Sequence, residues 1–177
     1  MTANSEYGKA LFSLTEEEGT TDAVLGEIKL VEEIFAKNPE YTKLLDTPAL
    51  GKDEKIVLID GAFGTLNENL LNLIKILCER HATHTIPLVA KTYAALYNES
   101  RGIEEVEAVS VLPLSDMQVQ ALKEKLARIT GKTIILKNTV DPSILGGLKL
   151  RYSGIQLDGS VKTRLDKFSE GLKNTVI

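Results

Sequence analysis

An α+β chain in two parts is what two changes along the sequence predict. Apolar side chains recur at helical spacing from Asn4 to about Gly102, and at Val106 the period falls from near 3.6 to about 2. The charge changes sign at the same place: residues 1–105 hold 10 basic and 18 acidic side chains, a net −8, while residues 106–177 hold 11 and 7, a net +4. We therefore expect an N-terminal six-helix bundle over 1–105 and a small mixed αβ domain over 106–177, in the order strand, helix, strand, hairpin, helix.

The elements follow in turn. Tyr7, Ala10, Leu11 and Leu14 share one face of a first helix, which the run EEEGTTD ends; Thr21 or Asp22 then caps a second with the stripe Val24, Ile28, Val31 and Phe35. Asn38-Pro39 stops that helix, because the residue before proline is pushed out of the helical region and Pro39 suits a new first turn. A short third helix through Leu44 and Leu45 meets Thr47-Pro48. The fourth carries Ile56, Leu58, Ile59 and Phe63 and ends near Gly64; the fifth, NENLLNLIKILCERH, sets Leu70, Leu73, Ile74 and Leu77 on one face. Beyond the joint ATHT, a sixth runs from Pro87 through Val89, Tyr93, Leu96 and Tyr97.

In the second part VEAVSVL alternates and stops at Pro113. LSDMQVQALKEKLARITG opens with a capping box, Ser115 with Gln118, and a staple, Leu114 with Val119; Val119, Leu122, Leu126 and Ile129 form its buried stripe and Gly131 closes it. KTIILKNTV returns to strand character. Leu148, Leu150 and Tyr152 alternate with Lys149 and Arg151, Ser153-Gly154 turns the chain, and Ile155 and Leu157 lead back as a hairpin partner. Ser160 caps a last helix whose apolar face is Val161, Leu165, Phe168 and Leu172.

Composition narrows the function. A chain of 177 residues buries about 70% of its unfolded surface and needs no staple. One cysteine, Cys78, excludes an intramolecular disulfide, no apolar run approaches the roughly 20 residues that cross a bilayer, and the start MTANSEYGKALF has no secretory pattern, so a reducing, soluble setting is expected. A net charge of −4 leaves no broad footprint for nucleic acid.

Signals for chemistry are weak. TGKT (130–133) imitates the end of a phosphate loop, but Leu126 stands where the loop's first glycine belongs, with a helix before it and a strand after. Cys78, Glu79, His81 and His84 step around one helix end without a second ligand cluster, which reads as a buried thiol and two joint histidines rather than a zinc site. No serine, histidine and acid trio is signalled, and acidic runs such as Glu16 to Glu18 and Glu104-Glu105 read as solvated helix ends. We expect no catalytic residues, no cofactor and no metal.

The stretch GGLKLRYSGIQLDGSVKTRLDKF (146–168) carries a specific resemblance. Gly146-Gly147, Leu157, Asp158-Gly159-Ser160, Val161, Arg164 and Leu165 match the pattern of the δ subunit family of F-type ATP synthases, related to the mitochondrial oligomycin-sensitivity-conferring protein. YGKALFSL resembles that family's first-helix motif, and NLIKIL its fifth helix, so the resemblance spans nearly the whole chain. Gly8 stands where the family has alanine, at a helix cost of up to roughly 1 kcal/mol, and Glu6 where a basic residue or proline is common.

The resemblance implies a non-catalytic stator part, one copy per complex, that ties the α/β head to the peripheral stalk. A groove between the first and fifth helices would take the amphipathic N-terminal helix of an α subunit, with Tyr7, Ala10, Leu11 and Leu14 facing Asn72 and Ile76. Apolar residues at helical spacing are more often plain core, and Tyr7 and Ile76 read equally either way. The αβ domain would meet the b subunits of the stalk, and its surplus of basic side chains would favour an acidic partner. For Gly146, Gly147, Asp158, Gly159, Ser160, Arg164 and Leu165 the expected role is structural: turn, cap and packing. The implied location is peripheral, on the cytoplasmic face of the plasma membrane, or on a thylakoid membrane in a phototroph, without direct insertion. The alternative is a generic two-domain adaptor for amphipathic helices, with an enzyme built on the cysteine and histidines a distant third.

Overall fold

The computed structural model describes residues 3–144, 147–152 and 155–158, and the chain is α+β. It divides into two compact units, Met1–Tyr97 and Asn98–Ile177. The helix predicted after Ser160 lies outside the described residues.

The first unit holds α1 (Ala3–Glu17), α2 (Thr21–Lys37), α3 (Pro39–Asp46), α4 (Lys52–Phe63), α5 (Glu68–Glu79), a 3-10 turn (Thr83–Thr85) and most of α6 (Ile86–Ser100). Its core is built by the stripes the spacing predicts on α2 (Val24, Ile28, Val31, Phe35) and α5 (Leu70, Leu73, Ile74, Leu77), with Val89 and Tyr93 from α6. Phe35 stacks on Phe63 at 5.8 Å and meets Tyr41 edge-on at 5.7 Å, which ties α2, α3 and α4 together. Between α1 and α6, Phe12 meets Tyr93 edge-on, and the Thr15 hydroxyl lies 2.8 Å from the Tyr93 hydroxyl.

Two stripes and one cap differ from expectation. On α1 the buried row is Gly8, Leu11, Phe12 and Thr15, and Ala10 and Leu14 point outward. Thr15 reads as polar in the sequence, but its hydroxyl also donates to the carbonyls of Leu11 and Phe12, so burial costs no lost hydrogen bond. On α4 the buried row is Lys55, Ile59 and Phe63, one side chain per four residues, and Leu58 faces out. The α2 cap position is Thr20, without a side-chain cap bond, and Thr21 is the first helical residue, its carbonyl accepting from the Tyr93 hydroxyl.

The second unit is a four-stranded sheet in the order β2-β1-β3-β4, with α7 packed against it. β1 (Ile103–Ser110) pairs in parallel with β2 (Thr133–Val140) from Ile103↔Thr133 to Ser110↔Val140, so the strand begins three residues before the change of period at Val106. β1 also pairs antiparallel with β3 (Leu148–Tyr152), and β3 with β4 (Ile155–Asp158). The parallel pair requires a crossover, and α7 (Asp116–Thr130) supplies it.

Helix α7 starts on the reciprocal Ser115–Gln118 capping box and ends on Gly131 in the left-handed conformation, φ 69°. Its core contact is Leu126 with Val106 and Ile134, flanked by Leu122 and Ala127. Ile129 is 73% exposed and not part of the stripe. Around the buried Leu126, the half-buried Leu122 and Thr130 continue the row in four-residue steps, and by the last turn this row has rotated past Ile129.

Candidate functional site

Helices α1 and α5 are neighbours, and the end of α1 meets the start of α5 where the Asn69 amide donates to the Glu18 carboxylate at 2.8 Å. Gly19, with φ 68°, turns the chain out of α1 at that point. Steps of about 100° per residue place Tyr7, Ala10 and Leu14 within about 60° of one another on the flank of α1 that turns from the core. Leu14 is 47% exposed and Ala10 is exposed, while Tyr7 packs partly against the core. Asn72 and Ile76, one turn apart on α5, are both exposed, Ile76 at 44%.

Five of the six residues expected to line a groove thus keep surface on two adjacent helices. Leu11 does not: at 2% exposure it is a core residue. The reason is the buried row of α1, which runs through Leu11 and Phe12 rather than through Leu11 and Leu14. Close by on the α4 side, Lys75 of α5 is paired with Asp60 at 2.5 Å. The exposed positions on this flank, Ala10, Leu14, Asn72 and Ile76, are apolar or amide side chains without an ionisable group.

The other residues singled out by type fall apart in space or into structural roles. Cys78 is buried, its thiol donating to the Leu45 carbonyl at 3.6 Å, and burial pushes the thiol pKa up, away from the reactive thiolate. The His84 Nδ1 lies 2.8 Å from the Asp46 carboxylate, and the His81 Nδ1 faces Lys55 Nζ instead. Among the described residues no group of three or more histidine, cysteine or carboxylate side chains is placed to hold a metal. In TGKT, Gly131 closes α7, Thr130 Oγ1 donates to the Leu126 carbonyl, and Lys132 pairs with Glu104 at 2.7 Å. A helix precedes this stretch and a strand follows, the reverse of a phosphate loop.

Of the signature residues, Gly147 takes φ 92°, a conformation that side chains with a Cβ avoid, and Asp158 ends β4 opposite Lys149. Gly146, Gly159, Ser160, Arg164 and Leu165 lie outside the described residues. Sequence reasoning missed Asp46 and Lys55. Asp46 ends α3 and joins it to the 3-10 turn, and Lys55 is 4% exposed. The spacing of Lys55, Ile59 and Phe63 on one row was the available signal. No helix of the described residues is long and apolar enough to cross a membrane.

Comparison with known proteins agrees with this architecture. Residues 3–172 match the family model described as ATP synthase delta (OSCP) subunit. The chain is 35% identical over 167 residues to an ATP synthase subunit delta of Geobacillus, covering 94% of each chain. It is 32% identical over 174 residues to that of Clostridioides difficile, covering 97% of this chain and 96% of the relative. In fold it is similar to a chain of the mitochondrial ATP synthase hexamer of Toxoplasma gondii, with a TM-score of 0.76, 22% identity, and 97% and 98% of the two chains covered. A family match over nearly the whole length, with relatives above 30% identity, means that this chain belongs to the ATP synthase delta (OSCP) subunit family.

Proposed function

We propose that this chain holds the α/β catalytic head of an F-type ATP synthase to its peripheral stalk and resists rotor torque, making and breaking no covalent bond itself. Membership of the delta family makes it a structural subunit of the synthase, and the finer assignment concerns who touches which surface. The helices of residues 1–105 act as one bundle toward the head, and the αβ domain of residues 106–177 acts toward the b subunits. Gripping two neighbours through one chain raises the lifetime of both contacts through effective concentration.

The observation that carries the head-binding surface is the exposure of Leu14 and Ile76 on neighbouring helices, at 47% and 44%. An amphipathic helix lays its apolar row into such a face. Tyr7, Ala10, Leu14, Asn72 and Ile76 contribute to it, and the N-terminal helix of an α subunit is the proposed occupant. Net charge of −8 over residues 1–105 and +4 over 106–177 supports different partners at the two ends, with an acidic surface of the b subunits at the second. One copy then sits peripherally on the cytoplasmic face of the membrane that houses the complex. Gly146, Gly147, Asp158, Gly159, Ser160, Arg164 and Leu165 serve that second part as turn, cap and packing.

Calorimetric titration of the full chain with a synthetic α-subunit N-terminal helix tests the head-binding surface. Ile76→Asp and Tyr7→Ala are expected to weaken binding by tenfold or more, about 1.4 kcal/mol, with the helical circular dichroism unchanged. Unchanged affinity in both variants removes the α1/α5 face from the interface. Failure of the peptide to bind the unaltered chain favours the generic adaptor.

A further inference from the structure

A cavity of about 310 Å³ lies between the α3–α4 linker, α4 and the end of α5, and its lining shares no residue with the proposed α1/α5 surface. That volume lies at the lower end of the roughly 300–1,000 Å³ typical of small-molecule sites. Its walls include Leu50, Ile56 and Ile59, and it contains three lysines, Lys52, Lys55 and Lys75. Two of these have carboxylate partners: Lys52 pairs with Glu79 at 2.9 Å and Lys75 with Asp60 at 2.5 Å. The third is different.

Lys55 is 4% exposed and, among the described residues, has no carboxylate partner. Its ammonium donates to the Thr47 carbonyl at 2.6 Å and lies 3.4 Å from His81 Nδ1, which accounts for two of its three N–H donors. A cation taken out of water normally brings an anion with it, because neutral acceptors replace only part of its hydration. His81 also lines the cavity, and its φ of 53° belongs to the end of α5, where its N–H bonds the Cys78 carbonyl at 3.0 Å and that of Ala82 bonds the Leu77 carbonyl at 2.8 Å.

We infer that this cavity is a binding site for a small amphiphilic monocarboxylate, whose head pairs with Lys55 and whose apolar body lies against Leu50, Ile56 and Ile59. One unpaired cation matches one negative charge, which favours a carboxylate over a phosphate dianion. The apolar walls favour an aliphatic body over a sugar or a peptide backbone. The site is separate from the α1/α5 face and does not depend on the partner assigned there.

Sodium octanoate, below its micellar concentration, is the probe, with 1-octanol as the equal-length neutral control. Titrations of the isotope-labelled full chain, followed by amide chemical shifts, should place the largest octanoate changes around Lys55, Cys78 and His81, with octanoate at least tenfold tighter than octanol. Lys55→Met, which keeps the stem and removes the charge, should reduce octanoate to the affinity of octanol. Ile56→Trp, which fills the cavity from a half-buried wall and leaves Lys55 in place, should abolish binding of both and keeps the test open if Lys55→Met fails to fold. Equal affinity of the two probes, shifts centred elsewhere, or unchanged octanoate binding in the folded variants overturns the site.

Discussion

The Asp46 carboxylate accepts a hydrogen bond of 2.6 Å from the Thr83 hydroxyl, 37 residues away. It also accepts from the backbone N–H groups of Thr83 at 2.8 Å and His84 at 3.2 Å, so the last residue of α3 caps the 3-10 turn that leads into α6. Burial works against the charge, but the bonds from Thr83 and His84 outweigh it and hold the Asp46 carboxyl below its ordinary range.

Asp46→Ala is therefore expected to cost about 1.5–3 kcal/mol near neutral pH, the range for hydrogen bonds to a charged group. The pH dependence has a definite sign. A carboxyl depressed in the folded state contributes stability above its unfolded value, near 3.9, and loses it as pH falls through the lower folded value. Urea unfolding of both proteins should show the gap full at pH 7 and shrinking below about pH 4. A gap that stays constant with pH would mean that the carboxylate's charge plays no part in the joint.

Glycines in helices are ordinarily weak points, but Gly8 is not interchangeable with alanine. A Cβ there would sit 2.8 Å from Thr92 Cβ, 3.0 Å from Thr92 Cγ2 and 3.0 Å from the Val89 carbonyl. Thr92 is pinned by its own bond to the Leu88 carbonyl at 2.8 Å, so α6 has little freedom to give way. Gly8→Ala should lower stability by about 1–3 kcal/mol through overpacking, more than the helix propensity of up to about 1 kcal/mol that it gains. Gly26, on the exposed side of α2 with nothing within 4 Å of its Cβ position, is the internal control: Gly26→Ala should stabilise by about 0.5–1 kcal/mol. Opposite shifts of the denaturant midpoint are expected, and a rise for both variants would show that α1 and α6 separate freely.

This contrast marks what the sequence could and could not disclose. Stripes set by apolar side chains, such as Val24 to Phe35 and Leu70 to Leu77, were legible because each helix buries one row. So were the Ser115–Gln118 box and the Gly131 stop, whose geometry is local. Gly8 read as a cost to α1, because a close approach between α1 and α6 is tertiary information. Thr15 and Asp46 were missed for the same reason: each is polar, and only its distant partner explains its place in the fold. Leu14 and Ile76 are exposed and Leu11 is buried, a distinction that apolar spacing alone does not make because it does not tell core from rim.

In the second unit the same kind of hidden partner fixes the entrance to α7. The Asn138 side chain, on β2, donates to the Ala108 carbonyl at 2.8 Å and to Ser110 Oγ at 2.9 Å, and its carbonyl accepts from the Leu114 N–H at 2.9 Å. Ser110 in turn donates to the Leu112 carbonyl at 2.7 Å, so one amide ties β2, the end of β1 and the loop that leads to the capping box. Asn138→Leu keeps the volume and removes these bonds, leaving the Leu114 N–H without its acceptor. The expected cost is about 1–3 kcal/mol, concentrated in this unit, with faster hydrogen exchange at the Leu114 amide as the local readout. Asn138→Asp, which keeps an acceptor for Leu114 but loses both donations, should leave that amide better protected than the leucine variant does. If the two variants exchange alike at Leu114, the loop is held by its own turn and not by Asn138.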